Sequence, residues 1–394
     1  MKRNDLLTPE GTRDLLFEEC AAKRTILERI TKLFESYGYS EVITPGLEFY
    51  DVFNGKVRYF PQETMYKLVD GKNRLMVLRP DSTMPIARLA ATRLREEELP
   101  LKLFYNQNIF MVNPKDSGRD DEISQSGIEI LGGNSTAADY EALVLAAKSL
   151  SACDENFRLE IGDSSIFREL ILQFDCDEEE SENIRHAIEI KDYPSLDKAD
   201  IPEALKTLPR LFGGIEVFEQ AEKHLHGKAL EARLSRLKKL CEDLSAVIPS
   251  EKIRVDLGLV HKKDYYTGII FRGYVEGYGL PALSGGRYDT LLGDFGREAA
   301  AVGFAVNVEA ASKVFLKKIK ANGEAIVKAP DVLVFGEKGS EIVALKHCGE
   351  LISQGFSAYN FLGENIEAAR KYASSHGIRR VDIVSGAAVA TEEV

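Results

Sequence analysis

The chain has 394 residues, with 51 Lys+Arg against 63 Asp+Glu for a formal charge of −12, and is 44% hydrophobic and 29% charged. That is the mix of a folded protein of two or three domains; it excludes global disorder and argues against a nucleic-acid binder that relies on bulk charge. The N-terminal MKRNDLLTPEG carries no apolar signal-peptide core, and the longest apolar run, Ala299–Val306, has 8 residues, against about 20 for a membrane span.

The first periodic segment is 12–37, where Leu15, Leu16, Ile26, Ile30 and Leu33 recur at helical spacing before Gly38 stops the helix. A strand is expected over 41–44, ending at Pro45, and another over 75–79, closed by Pro80. A helix follows from Thr83 to Glu97. Apolar-rich strands over 101–110 and 123–131 flank a polar Pro/Gly segment, 113–119, which reads as a hairpin loop. Residues 164–250 are helix-like and charged throughout, with no strand signal, and read as a helical insertion. Strands return over 253–260 and 266–275, followed by a tight Ser284-Gly285-Gly286 turn, a helix from Arg287, and a buried strand or helix start over 300–308. Residues 321–330 read as a linker. Beyond it, strands over 331–336, 357–361 and 381–385 alternate with helices over 341–354 and 366–376, the order of a small parallel α/β unit, with a frayed TEEV tail. The fold class expected is α+β: an antiparallel sheet core over 1–322 with an insertion at about 164–250, plus an α/β domain over 328–394.

Several chemistries find no support. The five cysteines, Cys20, Cys153, Cys176, Cys241 and Cys348, never fall as CxxC, a pattern of reduced thiols in a cytoplasmic protein. His224 and His226 lie two apart, off one helical face, so no metal is expected. There is no P-loop, no GxGxxG and no GxSxG. The acidic run 175–182 reads as a solvated helix start, and no cofactor is indicated.

An ordered set of segments resembles the histidyl-tRNA synthetase family of class II aminoacyl-tRNA synthetases: PEGTRDLL (9–16), GYSEVITPGLE (38–48), LRPDST (78–83), the strand–loop–strand 103–131, DYYTGIIF (264–271), SGGRYD (284–289) and AVGFAVNVEA (301–310). The resemblance implies a six-stranded antiparallel catalytic sheet, a homodimer built around Pro45, and a C-terminal domain like the family's anticodon-binding domain, cut short. It places Asp81, Thr83 and Gln125 at an amino group, and Glu129 and Tyr265 at an imidazole with Tyr266 alongside. An ammonium needs a carboxylate and a hydroxyl, and an imidazole needs hydrogen-bond partners on its two nitrogens.

The departures from the family pattern concern phosphate. Where the family writes roughly FRxERP, this chain has FMVNP (110–114), with Met111 at the arginine position; GLER becomes Asn307-Val308-Glu309-Ala310; GRxREF becomes GRDDEI (118–123); and RGLDYY becomes His261-Lys262-Lys263-Asp264-Tyr265-Tyr266. Neither a thioether nor a methyl supplies the bidentate donors of a guanidinium. A divergent synthetase would need those contacts restored from Lys115, Arg119 or Lys262, none of which stands at a motif position. A synthetase-like chain with a histidine pocket and no ATP arginines resembles the regulatory subunits of ATP phosphoribosyltransferase. That resemblance implies a short catalytic partner subunit, histidine as feedback effector, and a homodimer core within a hetero-oligomer. The C-terminal region has no basic stripe with interleaved aromatics, so tRNA is not the expected partner.

Overall fold

The computed structural model describes residues 4–54, 60–114, 118–133, 136–174, 176–260 and 265–394. They form two compact units, Met1–Asn322 and Gly323–Val394.

In the larger unit, the first long helix is Glu18–Ser36, which buries Ala22, Ile26, Ile30 and Phe34 at four-residue spacing. It starts six residues later than the periodicity predicts. Phe17 takes a positive φ of 41°, and Leu16 and Phe17 are exposed, so those apolar residues belong to no helical face. Strand β1 (Ser40–Glu41) is shorter than the expected 41–44 and pairs parallel to the later strand Leu101–Phe110. Strands β2 (Leu47–Phe49), β3 (Lys67–Val69) and β4 (Leu75–Leu78) make a small separate sheet in the order β2-β4-β3. The helix after Pro80 is Thr83–Ala91, shorter than 83–97. Arg297 ends it by donating to the carbonyls of Ala90 (2.9 Å) and Leu94 (2.6 Å).

The main sheet is built from β5 (Leu101–Phe110), β6 (Glu122–Leu131), β7 (Phe157–Asp163), β8 (Phe212–Gly213), β9 (Ile253–Asp256), β10 (Ile269–Val275), β11 (Leu283–Arg287) and β12 (Ala301–Asn307), with β1 at one edge. Its order is β1-β5-β6-β12-β11-β10-β7-β9-β8. The consecutive pairs from β5 to β7 are all antiparallel, which makes the six-stranded core. β1 and β9 extend it in parallel. The glycine pair read as a turn lies instead inside β11, and only Leu291–Asp294 is helical after it. Helix Thr136–Cys153 and strand β7 were not anticipated; the segment over 300–308 is strand β12, and helix Val308–Ala321 starts at its end. The insertion is helical except for β8, which pairs with β9.

Side chains alternate between the faces of this sheet. Phe104, Ile128 and Phe304 point to a core shared with Ile26, Ile30, Phe34, Leu143 and Val314 from the long helices. Leu103 and Tyr105 point to the other core, with Met84, Ile86, Tyr265, Tyr266, Ile270 and Tyr288. That second face carries the polar residues of interest.

In the smaller unit, β13 (Val332–Gly336) pairs parallel with β14 (Ala358–Phe361) and β15 (Arg380–Ser385). Alternation along β13 sends Val332 and Val334 toward helix Glu341–Ser353, and Leu333 and Phe335 toward helix Ile366–Ser375. The tail is not frayed. β16 (Ala388–Glu393) closes the sheet antiparallel to β15, and the Val394 amide donates to Arg379 O at 2.9 Å. Among the described residues, no helix is long and apolar enough to cross a membrane, and no group of three or more His, Cys, Asp or Glu is placed to hold a metal ion.

Candidate functional site

The turn between β4 and the helix at Thr83 carries Asp81, which is buried and accepts the Met84 amide at 3.2 Å. This Asx-type bond starts the helix and aims its first turn at β6. There Thr83 Oγ1 donates to Glu129 Oε1 at 2.8 Å. The other carboxylate oxygen of Glu129 accepts the Tyr288 hydroxyl. Glu129 is 2% exposed, and a carboxylate buried this deeply must be partnered. The two hydroxyls fix its plane, and each oxygen can accept more than one hydrogen bond.

The space for this carboxylate comes from the neighbouring strand. Gly303 lies opposite Glu129 in the β6–β12 register, and a Cβ there would overlap the carboxylate and the Ile128 carbonyl. On β11, a Cβ at Gly286 would sit 2.7 Å from the Tyr266 ring. Glycine is required at both places because another chain segment occupies the side-chain position.

Tyr265 and Tyr266 pack with ring centroids 4.8 Å apart, and Tyr265 meets Tyr288 edge-on at 5.9 Å. The segment is anchored from the insertion: Tyr266 O accepts Arg168 Nη2 at 2.9 Å and the Ser164 hydroxyl at 3.2 Å. Burial pushes the phenols of Tyr265, Tyr288 and Tyr105 well above the ordinary tyrosine range. The negative charge of Glu129 adds to all three, and that of Asp81 to Tyr265 and Tyr105. The result is two carboxylates among three protonated phenols. Such surroundings suit a cationic or hydrogen-bond-donating group.

The structure thus brings together Asp81, Thr83, Glu129, Tyr265 and Tyr266. Gln125 shares their face of β6, four residues from Glu129 and roughly 13 Å along the strand, opposite Gln107 and Asn307. Tyr288 and Tyr105 were missed by sequence reasoning. Tyr288 lay within the quoted SGGRYD, and Tyr105 shows as the inward position of the Leu103, Tyr105, Gln107 alternation. His261, Lys262, Lys263, Asp264, Lys115 and Asp175 lie outside the described residues.

Comparison with known proteins agrees with this architecture. The sequence model of the histidyl-tRNA synthetase family matches residues 11–311. An ATP phosphoribosyltransferase regulatory subunit of Clostridium kluyveri is 38% identical over 388 residues, covering 95% of this chain and 98% of that protein. The chain belongs to the ATP phosphoribosyltransferase regulatory subunit family. The crystal structure of a Bacillus halodurans protein described as an ATP phosphoribosyltransferase regulatory subunit/histidyl-tRNA synthetase superposes with a TM-score of 0.82 at 27% identity, covering 97% of this chain and 99% of that one. Histidyl-tRNA synthetase from Nostoc shares the fold, with a TM-score of 0.75 at 20% identity over 98% of this chain and 94% of its own.

In this chain the far end of the β5–β6 hairpin has a different character. Met111 is half-buried just beyond β5, its amide donating to Asp121 O at 2.8 Å. Ala310 is buried in the first turn of helix Val308–Ala321, its amide capped by Asn307 at 3.0 Å. The acids around them are engaged within the protein. Asp121 accepts the Tyr66 hydroxyl at 2.5 Å, Asp120 pairs with Lys313 at 3.2 Å, and Glu309 accepts Lys23 Nζ at 2.9 Å and the Ser124 amide at 2.6 Å. The buried guanidinium of Arg79 is used by Thr44 O, Pro45 O, Asn108 O and Gln107 Oε1 at 2.6–3.1 Å, and holds the chain around Pro45 against β5.

Proposed function

We propose that this chain is a non-catalytic subunit that activates a short catalytic ATP phosphoribosyltransferase and carries histidine feedback on the first step of histidine biosynthesis. The effector pocket comprises Asp81, Thr83, Gln125, Glu129, Tyr265 and Tyr266. The observation that carries the reading is the buried Glu129 carboxylate, oriented by Thr83 and by Tyr288, whose ring meets that of Tyr265 edge-on. It offers an acceptor to an imidazole N–H, and Asp81 offers a carboxylate to an ammonium.

Absence of adenylate chemistry follows from the hairpin end. Met111 and Ala310 stand where the synthetase pattern has arginines, and acids surround them. Losing one such donor costs roughly 2.7–4 kcal/mol of transition-state stabilisation. Histidine, an end product, biases the complex by binding its active and inhibited states unequally. The protein acts in the cytoplasm as a homodimer within a hetero-oligomer, and binds neither tRNA nor cofactor.

The test is to mix the protein with a short-form catalytic subunit from the same source and follow phosphoribosyl-ATP formation with and without histidine. Activity should rise on mixing and fall with histidine. Histidine-dependent ATP–pyrophosphate exchange by the protein alone would identify a divergent synthetase instead.

A further inference from the structure

We propose that Arg236, on helix Lys228–Leu244 of the insertion, is a positioning residue that couples the insertion to both tyrosine segments of the pocket through a buried hub at Asp139. The inference rests on the reading of that pocket as a histidine site. Asp139, on helix Thr136–Cys153, is wholly buried. One of its oxygens accepts Arg287 Nε at 2.8 Å and lies 2.6 Å from Arg287 Nη2, and the other accepts Arg236 Nη2 at 3.0 Å. Arg287 Nη1 continues to Gly133 O at 3.1 Å and to Asp289 Oδ1 at 3.0 Å.

Tyr288 stands between Arg287 and Asp289, so this pair fixes the backbone on both sides of it. The same pair reaches the other tyrosine segment through Thr267. The Thr267 amide donates to Arg287 O at 2.7 Å, and the Asp289 amide donates to Thr267 Oγ1 at 3.0 Å. Thr267 directly follows Tyr266. One network therefore sets the separation of Tyr265 and Tyr266 from Tyr288, and with it the orientation of Glu129.

Arg236 is the releasable member. Its side chain is 60% exposed, whereas Asp139 and Arg287 are 0% and 6% exposed. It borders a cavity of about 430 Å³ together with Arg287, Asp289 and Glu298. A buried carboxylate depends on the full set of its partners. Without the Arg236 guanidinium, Asp139 is left to Arg287 alone, and the frame around Tyr288 loosens. By reciprocity, a ligand that tightens the tyrosines strengthens the grip on the insertion.

The experiment measures histidine affinity by calorimetry, and backbone hydrogen exchange by mass spectrometry, on the full chain, R236A and R236K. R236A is expected to bind histidine at least about fivefold more weakly, with R236K in between. Peptides spanning 265–268 and 287–289 should exchange faster in R236A, while β5 and β6 stay as protected as in the unaltered chain. Equal affinity in R236A, or exchange that accelerates uniformly across the sheet, overturns the coupling, the second result marking a merely structural ion pair. If the unaltered chain binds no histidine, the reading of the pocket fails. The positioning role then stands or falls on the local exchange alone, with unchanged protection at 265–268 and 287–289 refuting it.

Discussion

The two ends of the β5–β6 hairpin treat acidic residues in opposite ways. At the inner end, Glu129 is buried at 2% exposure and held by two neutral hydroxyls, near phenols kept protonated by their surroundings. At the outer end, Asp120 and Glu309 pair with the ammonium groups of Lys313 and Lys23. A carboxylate already neutralised by a lysine has little left to offer a ligand. One oriented by neutral hydroxyls is not paired with a cation by those two contacts. A single pair of strands thus holds a buried acid by hydroxyls at one end and acids paired with lysines at the other.

The contrast fails most completely with Gly303→Ala. The added methyl overlaps both the Glu129 carboxylate and the Ile128 backbone carbonyl, and backbone cannot step aside as a side chain can. Overpacking of this kind costs about 1–3 kcal/mol of stability, and histidine binding should fall below detection by calorimetry while the melting temperature drops. Glu129→Ala comes next. It removes the acceptor and leaves the Thr83 and Tyr288 hydroxyls without it, at about 1–3 kcal/mol for each group left unsatisfied. Histidine inhibition should weaken by about 100-fold or more, yet the variant should still co-elute with the catalytic subunit. Unchanged inhibition would move the effector site elsewhere. Tyr265→Phe keeps the ring contacts with Tyr266 and Tyr288 and removes one hydroxyl, so a loss of about tenfold in affinity is expected.

Much of this arrangement was legible in the residues, and the failures have specific causes. The strands 101–110 and 123–131 were readable because ten-residue apolar alternation around a Pro/Gly segment has few other solutions. The candidate residues Thr83 and Glu129 were placed by motif, and their 2.8 Å contact joins them across 46 positions. Ser284-Gly285-Gly286 misled because glycine is ordinarily a turn signal. Here it marks a strand crossed closely by Phe304 and Tyr266, a fact of tertiary packing. Helix Thr136–Cys153 was missed because it is buried nearly all round, so it shows little helical periodicity. Tyr288 was invisible as a partner of Glu129 because they lie 159 positions apart, and only the β11–β12–β6 register brings them together.

Met111→Arg tests the hairpin from its other end. The side chain is half-buried beyond β5, six residues and roughly 20 Å along the chain from Tyr105. The new charge would meet the acids of the hairpin rather than the pocket. Histidine affinity should change by less than about twofold, within the additivity expected of distant sites. A larger shift measured by calorimetry would mean that the two ends are energetically coupled and that the contrast between them is incomplete.

The smallest effect expected lies in the hydrogen bond that closes the outer end, Tyr66 to Asp121 at 2.5 Å. Its acceptor residue also takes the Asn113 amide at 3.0 Å, so the bond ties the segment before β3 to the hairpin. Because the phenol donates to Asp121, with some burial and the carboxylate's charge adding to the effect, Tyr66 is pushed up to about 12 from an ordinary 10. A raised folded-state pKa means that the contribution is complete below about pH 10, where the phenol is protonated folded or unfolded, and is lost as pH climbs through about 12. Tyr66→Phe should therefore cost about 1 kcal/mol at neutral pH, a deficit that holds to about pH 9 and shrinks progressively as pH rises from about 10 toward about 12. Paired denaturant melts from pH 7 to pH 11 read this directly. A deficit that stays constant across the range would mean that the hydroxyl's worth does not depend on the proton it donates to Asp121.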